Sequence, residues 1–159
     1  MCNKFLYVKD FARIDIMNEE KELIVRALVI RDRKILVCQT VGRDYFFLPG
    51  GHVEFNETMR DALRRELYEE MGAILKDAEF IGGIENLFEQ EGVQKHEVSF
   101  IFNVDIDLKH IVSKESHVEF FWFPMDKFVD AVIAPPALKD VVLKWIAERE
   151  PFFIEERRQ

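Results

Sequence analysis

Glu66, Glu69 and Glu70 stand at i, i+3 and i+4 in the stretch from Pro49 to Ala73. At helical pitch their carboxylates project from neighbouring positions on one side. Met59, Ala62, Leu63, Leu67 and Met71 form an apolar stripe that overlaps the sector of Glu66 and Glu70. Those two acids border the core, where crowded carboxylates repel one another and lose hydration. A cation is needed to compensate them. Acidic oxygen clusters that keep open coordination positions suit Mg²⁺ or Mn²⁺, which bind a few carboxylates together with waters or substrate phosphates. The bland alternative is a solvated helix with i to i+4 ion pairs, but its charges would lie opposite the apolar stripe.

The elements that must position this stretch lie on both sides of it. Leu23 to Ile30, LIVRALVI, is almost continuously apolar, as expected of a strand covered on both faces. The link RDRK leads into Ile35 to Val41 and predicts a strand hairpin, whose turn lacks Gly or Asn and so has no predictable type. Tyr45 to Leu48 delivers the chain to Pro49, Gly50 and Gly51, where the backbone can turn tightly or approach a ligand. The helix is expected to start near Asn56, as N-cap, and to stop near Gly72.

Beyond it, Ala78 to Glu89 predicts a strand broken at Gly82 and Gly83, followed by a turn at Glu91 and Gly92. Val98, Phe100, Phe102, Val104 and Ile106 alternate with Ser99, Ile101, Asn103 and Asp105, the period of a strand. A polar loop, LKHIVSKESH, precedes a strand over Val118 to Phe123 that Pro124 ends. Leu138, Val141, Val142, Trp145 and Ile146 mark an amphipathic helix bounded by Pro136 and Pro151, with a charged tail after it. Phe5, Tyr7 and Phe11 hint at a strand within residues 1–22, which otherwise read as an N-terminal extension. The expectation is an α/β fold, a mixed sheet with helices packed against it, in one domain over residues 1–159.

Thirty acidic against 22 basic residues give a net charge of -8. That argues against a nucleic-acid polymer held on a basic surface, yet allows a small phosphorylated substrate if a divalent metal bridges the two. No apolar run reaches the roughly 18 residues of a membrane span, and no signal-peptide core is visible, so a soluble cytoplasmic protein is expected. Cys2 and Cys38 supply neither a disulfide framework nor a zinc site.

Gly51 is followed after five residues by Glu57, and after seven more by Arg65-Glu66-Leu67-Tyr68-Glu69-Glu70-Met71-Gly72. This spacing resembles the box of the Nudix hydrolases at every fixed position, with Ala73 where a larger aliphatic residue is usual. The resemblance implies an α/β/α sandwich and cleavage of a diphosphate link in a nucleotide derivative. It also implies metal ligation by the carbonyl of Gly50 and by Glu57, Glu66, Glu69 and Glu70, and is compatible with a homodimer. Such chemistry needs water to attack phosphorus while charge gathers on the oxygens, which a divalent metal neutralises. Arg65 then holds a carboxylate in place and offsets part of the repulsion. The resemblance favours Glu66 as the carboxylate that activates water. Glu97, beside His96, is the candidate outside the box, against the plainer reading of an exposed strand-edge charge.

Tyr45, Phe46, Phe47, Phe88 and Trp122 are able to stack on a nucleobase, although most are expected in the core. Phe46 and Phe47 are favoured because at least one should face away from the core, and His52 is placed to face substrate. Family members cleave nucleoside triphosphates, nucleotide sugars, ADP-ribose and other diphosphates. The proline of many ADP-ribose enzymes and the tyrosine of many dinucleoside polyphosphate enzymes are both missing from Glu85 to Gln90. The leading expectation is a nucleoside triphosphate pyrophosphohydrolase. A nucleotide-sugar or ADP-ribose-type hydrolase, and a nucleotide-sensing module without catalysis, stand as alternatives.

Overall fold

The computed structural model describes residues 19–108, 113–114 and 116–158. The hinted strand at Phe5 to Phe11 lies outside them. One sheet has the order β1 (Glu19–Leu28), β5 (Val93–Asp107), β4 (Ile74–Gln90) and β7 (Phe152–Arg157). β1 runs parallel to β5, β5 antiparallel to β4, and β4 parallel to β7, so the sheet is mixed. A smaller sheet joins β2 (Ile30–Arg31), β3 (Lys34–Thr40) and β6 (Val118–Pro124), all antiparallel. The helices are α1 (Met59–Met71) and α2 (Pro136–Glu148).

Alternation along the strands supplies both faces with a core. Val25, Ala27, Phe102, Val104 and Ile106 meet Ala62, Leu63, Leu67 and Met71 of α1. Leu28, Ile84 and Ile101 meet Leu138, Val141, Val142 and Trp145 of α2. The main sheet is thus the middle layer of an α/β/α sandwich, as expected, and each strand side chain belongs to an α1 face or an α2 face.

Four local expectations are corrected. The hairpin partner of β3 is only Ile30–Arg31, while the apolar run before it pairs with β5, 70 or more positions downstream. The two-residue turn of that hairpin, Asp32 and Arg33, has positive φ at both positions, the mirror-image turn whose twist suits a hairpin. The N-cap is Thr58, whose hydroxyl accepts from the backbone N–H of Asp61, while Asn56 adopts a left-handed conformation in the preceding turn. β4 passes through Gly82 and Gly83 with a register shift instead of ending there. The expected charged tail is largely β7, because β4 would otherwise be left with an unpaired edge from Gly82 to Leu87. The expected stop of α1 is found: Gly72, at φ 71°, donates its N–H to the carbonyls of Leu67 and Tyr68.

Candidate functional site at the glycine turn

Residues 49–53 lie along the edge of β1 that β5 leaves free. Ala27 N–H donates to the Pro49 carbonyl at 2.8 Å, Val25 N–H to that of Gly51 at 2.9 Å, and Val53 N–H to that of Leu23 at 2.8 Å. The two glycines are required for different reasons. A side chain on Gly50, at φ 129°, would strike the Val25 carbonyl oxygen at 2.1 Å. One on Gly51 would meet the carboxylate of Glu66 at 2.5 Å, so the missing Cβ is the space that this carboxylate occupies.

Arg65 gathers the acids. Its Nη2 donates to Glu57 Oε1 at 2.7 Å and its Nε to Glu57 Oε2 at 3.2 Å, the paired fork that guanidinium and carboxylate form best. Its Nη1 reaches Glu66 Oε1 at 2.8 Å and Glu69 Oε2 at 3.2 Å, and Nη2 also donates to the His52 carbonyl at 2.9 Å. Its bonds to Glu57 first, and to Glu66 and Glu69 with it, hold the guanidinium pKa above the ordinary value. Reciprocally, Arg65 and then the Glu54 N–H hold the Glu57 carboxyl below its ordinary range. Glu70 is 6 % exposed and accepts from the Gly50 N–H at 3.1 Å, whereas the Glu69 side chain is 57 % exposed. Glu66 and Glu70 therefore border the core as the stripe predicts.

On the α2 face of the sheet a cavity of about 570 Å³ opens beside this turn. Arg26, Tyr45, Phe47, Asn86, Phe88 and Glu97 are among its walls, with 132–136 forming another side. Arg26 Nη1 donates to the carbonyls of Gly50, at 3.1 Å, and Leu48, at 3.2 Å, and the guanidinium lies 5.6 Å from the Phe47 ring centre. Gly50 is thus the meeting point: its N–H is held by an acid of α1 and its carbonyl by a cation of the cavity.

The candidate residues separate accordingly. Gly50, Glu57, Arg65, Glu66, Glu69 and Glu70 come together. Phe47 lines the cavity, but its neighbour Phe46 turns the other way and packs on Phe123 and Phe121, because adjacent strand residues face opposite sides. Trp122 is likewise packed into the core. The His52 side chain points away, with Nε2 3.6 Å from Glu22 Oε1. Glu97 is not an exposed edge charge: it sits on the central strand β5, 9 % exposed, and accepts from Ser99 Oγ at 2.7 Å. His96 pairs with Glu85 at 2.7 Å. Arg26 and Asn86 are site residues that sequence reasoning missed. A lone arginine inside LIVRALVI and an asparagine inside an apolar strand were the available signals.

Three carboxylates around one guanidinium, with a glycine kept bare for one of them and Glu70 held nearby by the Gly50 N–H, form an oxygen-rich donor set of the chemistry that suits a hard divalent cation. As the side chains stand, no three His, Cys, Asp or Glu groups among the described residues converge on one point. Arg65, and not a common centre, holds them. No helix among the described residues is long and apolar enough to cross a membrane.

A sequence model of the NUDIX domain matches residues 20–146. An ADP-ribose pyrophosphatase of Methanocaldococcus jannaschii is 32% identical over 85 residues, which are 52% of this chain and 49% of that protein. The chain thus spans about half the length of this curated relative. Among solved structures, the MutT protein of Bacillus halodurans superposes with a TM-score of 0.74 at 18% identity, over 87% of this chain and 90% of that one. The MutT protein of Methanosarcina mazei Go1 gives 0.66 at 21% identity, over 82% and 96%. At such identities the two structures bear on the fold alone.

Proposed function

The chain belongs to the NUDIX domain family, and from that membership we propose that it hydrolyses a diphosphate link in a nucleoside diphosphate derivative, as a nucleoside triphosphate pyrophosphohydrolase. The observation that carries the reading is the double engagement of Gly50, by Glu70 on one side and Arg26 on the other. It joins the carboxylate cluster to an aromatic-walled cavity, so that the phosphates and the base of one molecule have adjoining places. Cavities of about 300–1,000 Å³ are of the size that small ligands fill.

Glu57, Glu66, Glu69, Glu70 and the Gly50 carbonyl would hold Mg²⁺, with Mn²⁺ as a substitute. When bound, the metal neutralises phosphate charge and lowers the pKa of water. Glu66, kept against Gly51 by Arg65, takes the proton of the attacking water. The water oxygen bonds to phosphorus, the bridging P–O bond breaks, and monophosphate and pyrophosphate leave. Arg65 is a positioning residue: it holds Glu57 and Glu66 and keeps their like charges from driving them apart.

The 32% identity to an ADP-ribose pyrophosphatase favours an ADP-ribose-type or nucleotide-sugar substrate as the second reading. Product release from nucleoside triphosphates, ADP-ribose and nucleotide sugars, with and without Mg²⁺, separates the two. Tight binding of a nucleotide without cleavage of any compound on the panel would replace both with a sensing module.

A further inference from the structure

The cavity floor carries a polar pair that the hydrolytic cluster does not use. Asn86 of β4 and Glu97 of β5 are register partners on the α2 face, so their Cβ atoms lie about 5 Å apart. Asn86 is 1 % exposed, and neither its Nδ2 nor its Oδ1 has a hydrogen-bond partner among the described residues. A buried amide with both ends unpaired is costly in a folded protein and points to a missing partner. The Glu97 carboxylate beside it takes one hydrogen bond from Ser99, at Oε1, and Glu97 is among the residues that line the cavity. Phe47, Tyr45 and Phe88 supply ring faces around this floor.

Taking the cavity as the nucleotide site proposed above, we infer that Asn86 and Glu97 read the base and select a guanine-type edge. An asparagine amide pairs with a lactam through two parallel bonds, Nδ2–H to the ring carbonyl and the ring N–H to Oδ1, which satisfies both orphaned atoms. In guanine the 2-amino group comes next along the same edge and donates to the Glu97 carboxylate. Hypoxanthine keeps the lactam but puts a C–H there. Uracil and cytosine put a carbonyl oxygen against the carboxylate, which repels it. Adenine satisfies the amide but also offers Glu97 only a C–H. Glu97 is on this reading a specificity residue, and β1 separates it from residues 51–53.

The test is equilibrium binding of GMP, IMP, AMP, UMP and CMP to the full chain without metal, with hydrolysis of the matching triphosphates measured alongside. GMP should bind about tenfold more tightly than IMP, and IMP more tightly than UMP. Glu97→Ala should bring GMP and IMP to within about twofold, because it removes the partner of the 2-amino group alone. Asn86→Leu should weaken GMP at least about tenfold while raising Tm, since it deletes an unpaired buried amide. A lower Tm for Asn86→Leu, or an unchanged order of preference in both variants, overturns the inference. So does a Glu97→Ala enzyme whose kcat falls equally on GTP and ITP with KM unchanged. Hydrolysis with no base preference overturns the base-reading pair and leaves the hydrolase reading intact. Guanine-selective binding without hydrolysis does the reverse.

Discussion

Arg26 Nη1 donates to the carbonyl oxygen of Gly50 at 3.1 Å, so the carbonyl expected to face a metal already carries one cationic partner. A carbonyl oxygen has two lone pairs and can serve both. The bond also fixes the glycine turn from the cavity side. Arg26→Met, which keeps the length and loses the guanidinium, should lower kcat/KM by about 10- to 100-fold while the fold persists. Parallel kinetics and thermal unfolding check this, and unchanged kinetics would remove Arg26 from the site.

Arg65→Lys should be far from conservative. An ammonium cannot make the fork to Glu57 and still reach Glu66 and Glu69, so the acids lose their common anchor. Turnover should fall about 10- to 100-fold although the charge is kept. Wild-type kcat in the lysine variant would show that charge alone matters.

Glu70→Gln and Gly51→Ala test the acid cluster from two sides. Gln can still accept from the Gly50 N–H, so Glu70→Gln should keep the fold, with Tm equal or higher, while metal-dependent turnover drops at least about 100-fold. The methyl of Gly51→Ala would stand where Glu66 now lies, and should displace that carboxylate with a comparable loss. Crystal structures of both variants with Mg²⁺ would show which ligands remain.

The start of α1 predicts a pH dependence. The Thr58 hydroxyl donates to Asp61 Oδ2 at 2.6 Å and accepts from the Asp61 N–H. Its bond first, and Arg64 after it, hold the Asp61 carboxyl below its ordinary 3.8. A depressed folded pKa contributes stability above the unfolded value and loses it as pH falls through the folded one. Thr58→Ala should cost about 1 kcal/mol at neutral pH. That deficit should shrink once the medium is acid enough to protonate Asp61, which urea unfolding across pH measures.

Much of the carboxylate half of the candidate site was legible because its residues are close in sequence. Spacings of three and four on a helix dictate neighbouring side chains, so Glu66, Glu69, Glu70 and Arg65 are grouped before any tertiary contact forms. Gly51 and Glu57 lie just upstream of the same helix. Errors arose where partners are distant. Alternation cannot say which strand lies beside β1, and the hairpin reading of Leu23 to Val41 missed β5 for that reason. The C-terminal residues looked like a tail because β7 alternates only weakly, and its strand character comes from the open edge of β4.

The amino-acid sequence by itself determined the carboxylate cluster, the glycines that admit it and the helix that carries it, since each follows from covalent spacing and backbone geometry. Only the tertiary structure decided that Phe47 and not Phe46 faces the cavity, and that Arg26, Asn86 and Glu97 share it. Those three come from three strands, and strand pairing with its register, set by burial on both faces of the sheet, is what puts them side by side.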